Sequence, residues 1–226
     1  MRSLISLLLC LCTVITPAIP VYQNDSLRQI YCSAPNNEKK IALTFDDGPH
    51  PKYTEEILDI LQKYNVKATF FAIGENITYY PETFEKIILA GHEIGNHTFS
   101  HPHMQNEDIH TLKKELQQTE DLLRQKGVTT TLFRPPEGVC SDAVCRVAKE
   151  LSYSIILWTV DTKDWSHPGS DDIVDLVQKH IKSGDIILFH DYIQAPSPTP
   201  QALDTLIPAL LAKGYHFVTV SELISA

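Results

Sequence analysis

The chain has 226 residues and a formal net charge of −9, with 43% hydrophobic and 21% charged residues. This composition is close to the average for globular proteins, so it excludes a long disordered or fibrous chain. The acidic balance excludes nucleic acid and anionic membrane as main partners, because both require a basic face. The length suits one large domain or two small ones.

The first 18 residues have the pattern of a secretory signal peptide. Arg2 precedes an apolar run from Leu4 to Ile15, and residues 16–18 form a small-residue site suited to cleavage after Ala18. The run is shorter than the roughly 20 residues that span a bilayer, which favours a signal over a membrane anchor. We expect a secreted monomer, extracellular or in the periplasm or cell envelope, with no membrane contact after cleavage.

An irregular N-terminal arm is predicted at 19–40 and a single domain at 41–226. Within the domain, strand-like runs alternate with amphipathic helical stretches. In chain order, the predicted elements are strand Ile41–Phe45, helix Thr54–Tyr64, strand Ala68–Ile73, helix Pro81–Ala90, strand Glu93–Asn96, helix Asp108–Lys126, strand Thr131–Phe133, helix Ser141–Leu151, strand Ser154–Val160, helix Asp171–Ile181, strand Ile186–Phe189, helix Gln201–Ala212 and strand His216–Val220. This alternation predicts an α/β fold, a small or irregular (β/α) barrel of about seven parallel strands with outer helices. An open doubly wound sheet is the alternative.

Reactive side chains follow the predicted strands at the point where each strand ends. They are Asp46, Asp47, His97, Arg134, Asp161, Asp164 and His190. The C-terminal ends of the strands are where α/β barrels build their active sites. The sequence therefore predicts one polar site at this end of the barrel.

Two of these segments carry recognisable chemistry. Asp46 and Asp47 are adjacent carboxylates, which are costly unless a positive group neutralises them, although Asp-Gly-Pro alone would also suit a turn. His97 and His101 are four residues apart, so on a helical turn they would share one face and could chelate a cation. Two imidazoles and a carboxylate would leave one position open, as in catalytic zinc sites.

Five motifs together resemble the polysaccharide deacetylase family, the NodB-homology domain of carbohydrate esterase family 4. The segments and the family patterns that they match are Thr44–Pro49 for TFDDGP, His97–His101 for H-S/T-x-x-H, Arg134–Gly138 for R-x-P-x-G, Asp161–Trp165 for D-x-x-D-W and Leu188–His190 for L-x-H. The resemblance covers residues 41 to about 220. It implies a distorted (β/α) barrel and metal-dependent N-deacetylation of an N-acetylglucosamine-containing glycan, such as peptidoglycan or a chitin-like polymer.

The resemblance also implies roles for ten residues. Asp47, His97 and His101 would bind one divalent metal, with Zn²⁺ preferred and Co²⁺ or Ni²⁺ suited to similar ligands. Asp46 would be the general base, paired with Arg134, and His190 the general acid, supported by Asp164. Leu188 and Trp165 would form the acetyl pocket, and the backbone N–H of Glu137 would complete the oxyanion site. The family usually has an aromatic residue where this chain has Glu137, which bears on substrate preference.

Three alternative functions can be weighed against the motifs. The same motifs would serve an O-deacetylase of the acetylxylan esterase type. A sugar-binding module with a degenerate site would lack a metal ligand or the base, and a metal-free amidase would lack the Asp-His-His set. This chain retains the base and the complete Asp-His-His set.

Cys32, Cys140 and Cys145 would allow one disulfide after signal cleavage, and the sequence does not indicate which pair forms it.

Overall fold

The computed structural model describes residues 30–105 and 107–225. The predicted signal peptide and residues 19–29 of the predicted arm lie outside the described residues. Among the residues that it does describe, no helix is both long and apolar enough to cross a membrane.

One sheet contains all the strands of the described chain. They are β1 (Ile30–Tyr31), β2 (Lys40–Asp46), β3 (Thr69–Ala72), β4 (Glu93–Asn96), β5 (Leu132–Phe133), β6 (Ser154–Ile156), β7 (Val160–Asp161), β8 (Ile186–His190) and β9 (His216–Phe217). Eight of them follow the order β1-β6-β5-β4-β3-β2-β8-β7, and β9 pairs with the start of β2. Every pair is parallel. The prediction of a parallel α/β barrel with outer helices is confirmed, and the sheet is curled into a half-barrel.

Helices connect the successive strands from β2 to β6 and from β7 to β9, as parallel pairing requires, and one helix follows β9. They are α1 (Tyr53–Lys63), α2 (Gly74–Tyr79), α3 (Pro81–Leu89), α4 (Ile109–Gln125), α5 (Asp142–Glu150), α6 (Ser170–His180), α7 (Thr199–Ala212) and α8 (Val220–Ile224). Two short 3₁₀ turns cover Pro136–Gly138 and Asp164–Ser166.

Strand β2 shows how the sequence sends different side chains to the two faces of the sheet. Ile41, Leu43 and Phe45 pack with the outer helices. Ala42 instead joins the cluster that fills the inside of the barrel, with Phe71 and Ile156. Because side chains alternate along a strand, Thr44 and Asp46 share the inner face with Ala42. The polar end of β2 therefore points into the barrel.

The predicted strand Ser154–Val160 is two strands at different places in the sheet. β6 pairs with β1 and β5, whereas β7 pairs with β8 on the other side of β2. The carbonyl groups of Ile156 and Leu157, where β6 ends, accept hydrogen bonds from the side chain of Arg134. These carbonyl groups are consequently unavailable for strand pairing. The chain then crosses to the opposite edge of the sheet, where it forms β7.

Three other predictions of local structure were wrong or incomplete. The arm is not irregular throughout, because Ile30–Tyr31 forms the edge strand β1. The last strand ends at Phe217, and Val220 begins α8, where Thr219 and Glu222 form a reciprocal capping box. Helix α2 was not predicted; it has six residues, too few for a clear helical period.

We expect Gly95→Ala to destabilise the fold by about 1–3 kcal/mol, a typical cost of overpacking. A Cβ atom on Gly95 in β4 would lie 2.3 Å from the ring of Phe71 in β3. Urea unfolding of the variant measures the change in the free energy of unfolding. The control is the same substitution in a Phe71→Leu background, where its cost should fall. Equal costs in both backgrounds would contradict this explanation.

Candidate active site

The predicted site residues gather at the C-terminal end of the strands. Asp46 and His190 are the last residues of β2 and β8 and face each other in register. His97 directly follows β4, and Arg134 directly follows β5. Asp164 begins the 3₁₀ turn after β7. The expectation that these polar residues share one end of the barrel is therefore confirmed.

Arg134 is fully buried inside this end of the barrel. Its Nη1 donates to Asp46 Oδ1 at 2.7 Å and to Thr44 Oγ1 at 2.8 Å. Its Nε and Nη2 donate to the carbonyl groups of Ile156 at 3.1 Å and Leu157 at 3.2 Å. The guanidinium also lies 4.2 Å from the ring centroid of Phe71. The Asp46 carboxylate thus has a fixed and buried cationic partner.

Asp47 faces a different group from its neighbour Asp46. Its φ angle is +74°, a left-handed conformation that turns the chain directly after β2. Its Oδ1 lies 3.3 Å from His97 Nε2 and 3.4 Å from His101 Nε2. The Asn76 side chain in α2 donates to the Asp47 carbonyl at 2.6 Å and fixes this turn. The turn therefore separates the two carboxylates, as their adjacency in sequence required.

His97 and His101 converge, but not on a helical turn as the sequence predicted. The segment 97–101 is a loop, with φ angles of +69° at Thr98 and +54° at His101. The Glu115 carboxylate in α4 accepts the backbone N–H groups of Phe99 and Ser100 at 2.9 and 2.8 Å. The loop brings the imidazole centroids to 5.1 Å. The left-handed residues Thr98 and His101, together with the contacts from α4, thus bring the two histidines together without a helical turn.

The residues Asp47, His97 and His101 form a group that could hold a metal ion. Their candidate ligand atoms lie within 4.8 Å of one another. Asp47 Oδ1 is buried without a hydrogen-bond partner, a costly state that a cation would relieve. His97 Nδ1 donates to the Arg134 carbonyl at 2.7 Å, which leaves Nε2 facing the other ligands. The donor set and the unpartnered oxygen both fit a divalent cation.

The electrostatics of this group also favour a positive charge. Burial lowers the pKa of His97, but the carboxylates of Asp46 and Asp47 outweigh this and raise it overall. Burial raises the pKa of Asp47, and His97 outweighs this and lowers it overall. Without a metal, the site therefore attracts a proton to His97. A metal ion would replace that proton.

His190 forms a second buried unit with Asp164. The His190 Nδ1–H donates to Asp164 Oδ1 at 2.7 Å. Asp164 also accepts from the backbone N–H of His190 at 2.8 Å and from Thr199 Oγ1 at 2.7 Å. Burial lowers the pKa of His190, but the hydrogen bond and charge of Asp164 raise it overall to about 9. This raised pKa favours the protonated form of His190 at neutral pH, the form that a proton donor requires.

The remaining predicted residues, Leu188, Trp165 and Glu137, lie in different environments. Leu188 is buried in β8, and Trp165 is 54% exposed in the Asp164–Ser166 turn. Glu137 has a φ angle of +57° in the Pro136–Gly138 turn. Its carboxylate accepts from His103 Nδ1 at 2.8 Å on the surface. The structure thus gives Glu137 a surface partner, His103, that the sequence did not indicate.

Sequence reasoning missed Asp191 as part of the site. Its buried carboxylate accepts from the Gly48 N–H at 3.0 Å and from Thr54 Oγ1 at 2.6 Å. A Cβ atom on Gly48 would lie 1.9 Å from Asp191 Oδ2, so glycine is required for this approach. Burial raises the pKa of Asp191 to about 7. Asp191 holds the loop that carries Asp47, and its position directly after His190 was the available signal.

The cysteine pairing stays a prediction. Cys145 is buried in α5, and its Sγ lies 3.9 Å from the carbonyl oxygen of Cys140. Cys32 follows β1 and is half-buried.

Comparisons with known proteins identify the family of this chain. The family model of polysaccharide deacetylases matches residues 33–156. The chain is 44% identical over 192 residues to a peptidoglycan-N-acetylglucosamine deacetylase of Bacillus cereus, covering 84% of this chain and 90% of that protein.

Two solved structures extend the comparison. A peptidoglycan N-acetylglucosamine deacetylase in complex with 4-naphthalen-1-yl-N-oxidanyl-benzamide has a TM-score of 0.86 at 35% identity and covers 91% of this chain and 97% of its own. A family 4 acetyl xylan esterase from Clostridium thermocellum, in complex with a cobalt ion, has a TM-score of 0.76 at 35% identity and covers 83% of this chain and 91% of its own. The chain belongs to the polysaccharide deacetylase family, carbohydrate esterase family 4. It is a hydrolase of that family.

We expect His97→Ala to lower the affinity for a divalent metal by more than about a hundredfold, because loss of even an outer-shell partner of a ligand typically costs 10–100-fold. The metal affinity of the unchanged protein should rise with pH. The pKa of His97 is raised, and a proton on His97 competes with the metal. Competition with a chromogenic chelator measures both effects.

The matched control for this substitution is His103→Ala, because His103 is an exposed imidazole two residues beyond His101. It should bind metal as the unchanged protein does. Undiminished metal stoichiometry in His97→Ala would reject the site.

We expect Asp164→Asn to lower the pKa of His190 well below about 9, because the charge that raises it is lost while burial remains. The His190–Asp164 pair should also make stability depend on pH. It stabilises the fold fully below the pKa of an unfolded histidine, and this stabilisation is lost as pH rises through about 9. NMR titration of the imidazole C–H signals measures the shift.

Thr199→Val is the control for Asp164→Asn. It removes one donor to Asp164 and leaves the carboxylate in place. Its His190 pKa should stay close to that of the unchanged protein. A similar fall in both variants would show that Asp164 acts through packing rather than charge.

Proposed function

We propose that the protein is a metal-dependent N-deacetylase of a glycan that contains N-acetylglucosamine, and that it releases acetate. The main support is structural: the buried Asp46–Arg134 pair adjoins the Asp47, His97 and His101 group, and His190 ends the neighbouring strand. A base, a metal-binding group and an acid at one strand end suit hydrolysis of an amide.

The metal would be held by Asp47, His97 and His101. A bound Zn²⁺ ion, or Co²⁺ in its place, would polarise the acetyl carbonyl and lower the pKa of its bound water. Asp46 accepts the proton of the attacking water, and Oδ2 is the oxygen suited to this because Arg134 binds Oδ1. Arg134 also fixes the orientation of the carboxylate through its two carbonyl contacts.

His190 would donate the proton that an amide nitrogen needs in order to leave. Its Nδ1 is bound to Asp164, so Nε2 is the nitrogen available to the substrate. The backbone N–H of Glu137 would stabilise the developing oxyanion, and such a donor is typically worth about 3 kcal/mol. Leu188 and Trp165 would surround the acetyl methyl group.

Peptidoglycan is the glycan that the comparisons favour for this chain. The B. cereus relative is a peptidoglycan-N-acetylglucosamine deacetylase and matches over most of its length. The predicted signal peptide would place the enzyme outside the cytoplasm, where this substrate lies. A monomer is sufficient for the proposed site, because all the residues assigned to it come from one chain.

An O-deacetylase is the second candidate, favoured by the similarity to a family 4 acetyl xylan esterase. An ester cleaves more easily than an amide because its alkoxide leaves with less help. His190→Ala should accordingly damage N-deacetylation more than ester cleavage if the amide is the substrate.

We expect the purified protein to release acetate from N-acetylglucosamine glycans, and a chelator to stop the release. Asp46→Asn should lower turnover by about a hundredfold to ten-thousandfold, the typical contribution of a general base. It should keep its metal, because Asp46 is outside the proposed ligand set. Acetate assays on peptidoglycan, chitin oligosaccharides and acetylated xylan, with metal analysis, measure these effects.

Two outcomes would contradict the proposal. Near-normal turnover in Asp46→Asn would remove Asp46 from the base role. Release of acetate from xylan alone would replace N-deacetylation with O-deacetylation.

A further inference from the structure

A cluster of aromatic rings lies beside the site and has no part in the chemistry above. We call His50, Tyr79, Tyr80 and Tyr192 the aromatic platform. Within it, His50 lies 4.9 Å from Tyr192, and Tyr80 lies 6.4 Å from both, measured between ring centroids. Tyr79 lies 6.4 Å from Tyr80.

The platform is assembled from three segments that all start at the active-site end of the barrel. His50 is three residues after Asp47, and Tyr192 is two residues after His190. Tyr79 and Tyr80 stand at the end of α2, the helix whose Asn76 binds the Asp47 carbonyl. The reach of the chain keeps the Cα atoms of Tyr192 and His190 within about 7 Å. The platform therefore borders the proposed site.

Contacts fix His50 within the platform, and the platform is open to solvent. Tyr53 supports it from below, with 5% exposure and a stacked contact of 4.8 Å to His50. His50 Nδ1 accepts the backbone N–H groups of Lys52 and Tyr53, each at 3.1 Å, which fixes its ring. His50, Tyr80 and Tyr192 are half-buried, and Tyr79 is 66% exposed. Aromatic rings grouped at the surface in this way commonly mark a binding site.

We propose that the aromatic platform is a second glycan subsite, which binds a neutral N-acetylated pyranose ring next to the residue that is deacetylated. This inference rests on the proposed function for the identity of the polymer. A pyranose ring has an apolar face of C–H groups and a rim of hydroxyls. Tyrosine offers the matching surface, because its ring face is apolar and electron-rich and its hydroxyl can form hydrogen bonds.

The platform should act on binding and not on the chemical step. We expect Tyr192→Leu to raise KM for an N-acetylglucosamine pentasaccharide about tenfold with kcat unchanged, the pattern of lost uniform binding. Tyr192→Phe keeps the ring and should stay within about twofold of the unchanged protein. Tyr79→Ala changes an exposed side chain, so it should fold normally and should also raise KM.

A distant tyrosine provides the matched control. Tyr215 precedes β9 at the opposite end of β2, where its hydroxyl donates to the Ile181 carbonyl. Tyr215→Leu should leave KM for the pentasaccharide unchanged. Calorimetric titration of each protein with the pentasaccharide, in the presence of a chelator, measures glycan affinity without turnover.

The outcomes separate this inference from the proposed function. If the unchanged protein binds the pentasaccharide but releases no acetate, while Tyr192→Leu binds it more weakly, the subsite stands and the proposed function fails. If acetate is released and neither Tyr192→Leu nor Tyr79→Ala changes KM or affinity, the subsite is refuted. Equal losses in Tyr215→Leu, or no glycan binding by the unchanged protein, would also refute it.

Discussion

The buried guanidinium of Arg134 is the interaction on which the rest of the site depends. A charged group in the core is costly unless its partners are complete, and Asp46, Thr44 and two carbonyl groups supply them here. The same residue offers its own carbonyl to His97 Nδ1. The side chain of Arg134 therefore fixes the proposed base, Asp46, and the backbone of Arg134 orients a proposed metal ligand, His97. Removal of the guanidinium would leave Asp46 as an unpaired buried charge.

The contacts of Arg134 also show why one part of the fold could not be predicted from local sequence patterns, whereas other parts could. The strand–helix alternation and the polar residues at strand ends follow from local patterns, and the structure confirms both. The break between β6 and β7 does not follow from local patterns, because it arises when Ile156 and Leu157 turn their carbonyls toward an arginine more than 20 residues earlier. In contrast, the capping box of Thr219 and Glu222 was a local signal that could have placed α8.

The convergence of the two histidines shows a further limit of sequence patterns. Their spacing predicted that both imidazoles could bind one cation. The loop brings the imidazoles together, but it does so through the left-handed residues Thr98 and His101. Together with Asp47, these non-glycine residues adopt conformations that each cost of order 1–3 kcal/mol. Contacts from Asn76 and Glu115 hold two of these turns in place. Such contacts come from distant helices, so the loop geometry could not be read from the motif itself.

The charges of the site also explain why a divalent cation suits it. Arg134 neutralises Asp46, and protonated His190 neutralises Asp164, so both buried pairs carry no net charge. Asp47 is left as the unbalanced carboxylate, with a buried oxygen that has no hydrogen-bond partner. His97 and His101 would bind a metal in their neutral forms. Asp47 would then cancel only one of the two positive charges of a divalent ion. The remaining positive charge would stabilise the negative charge that develops when the amide is attacked.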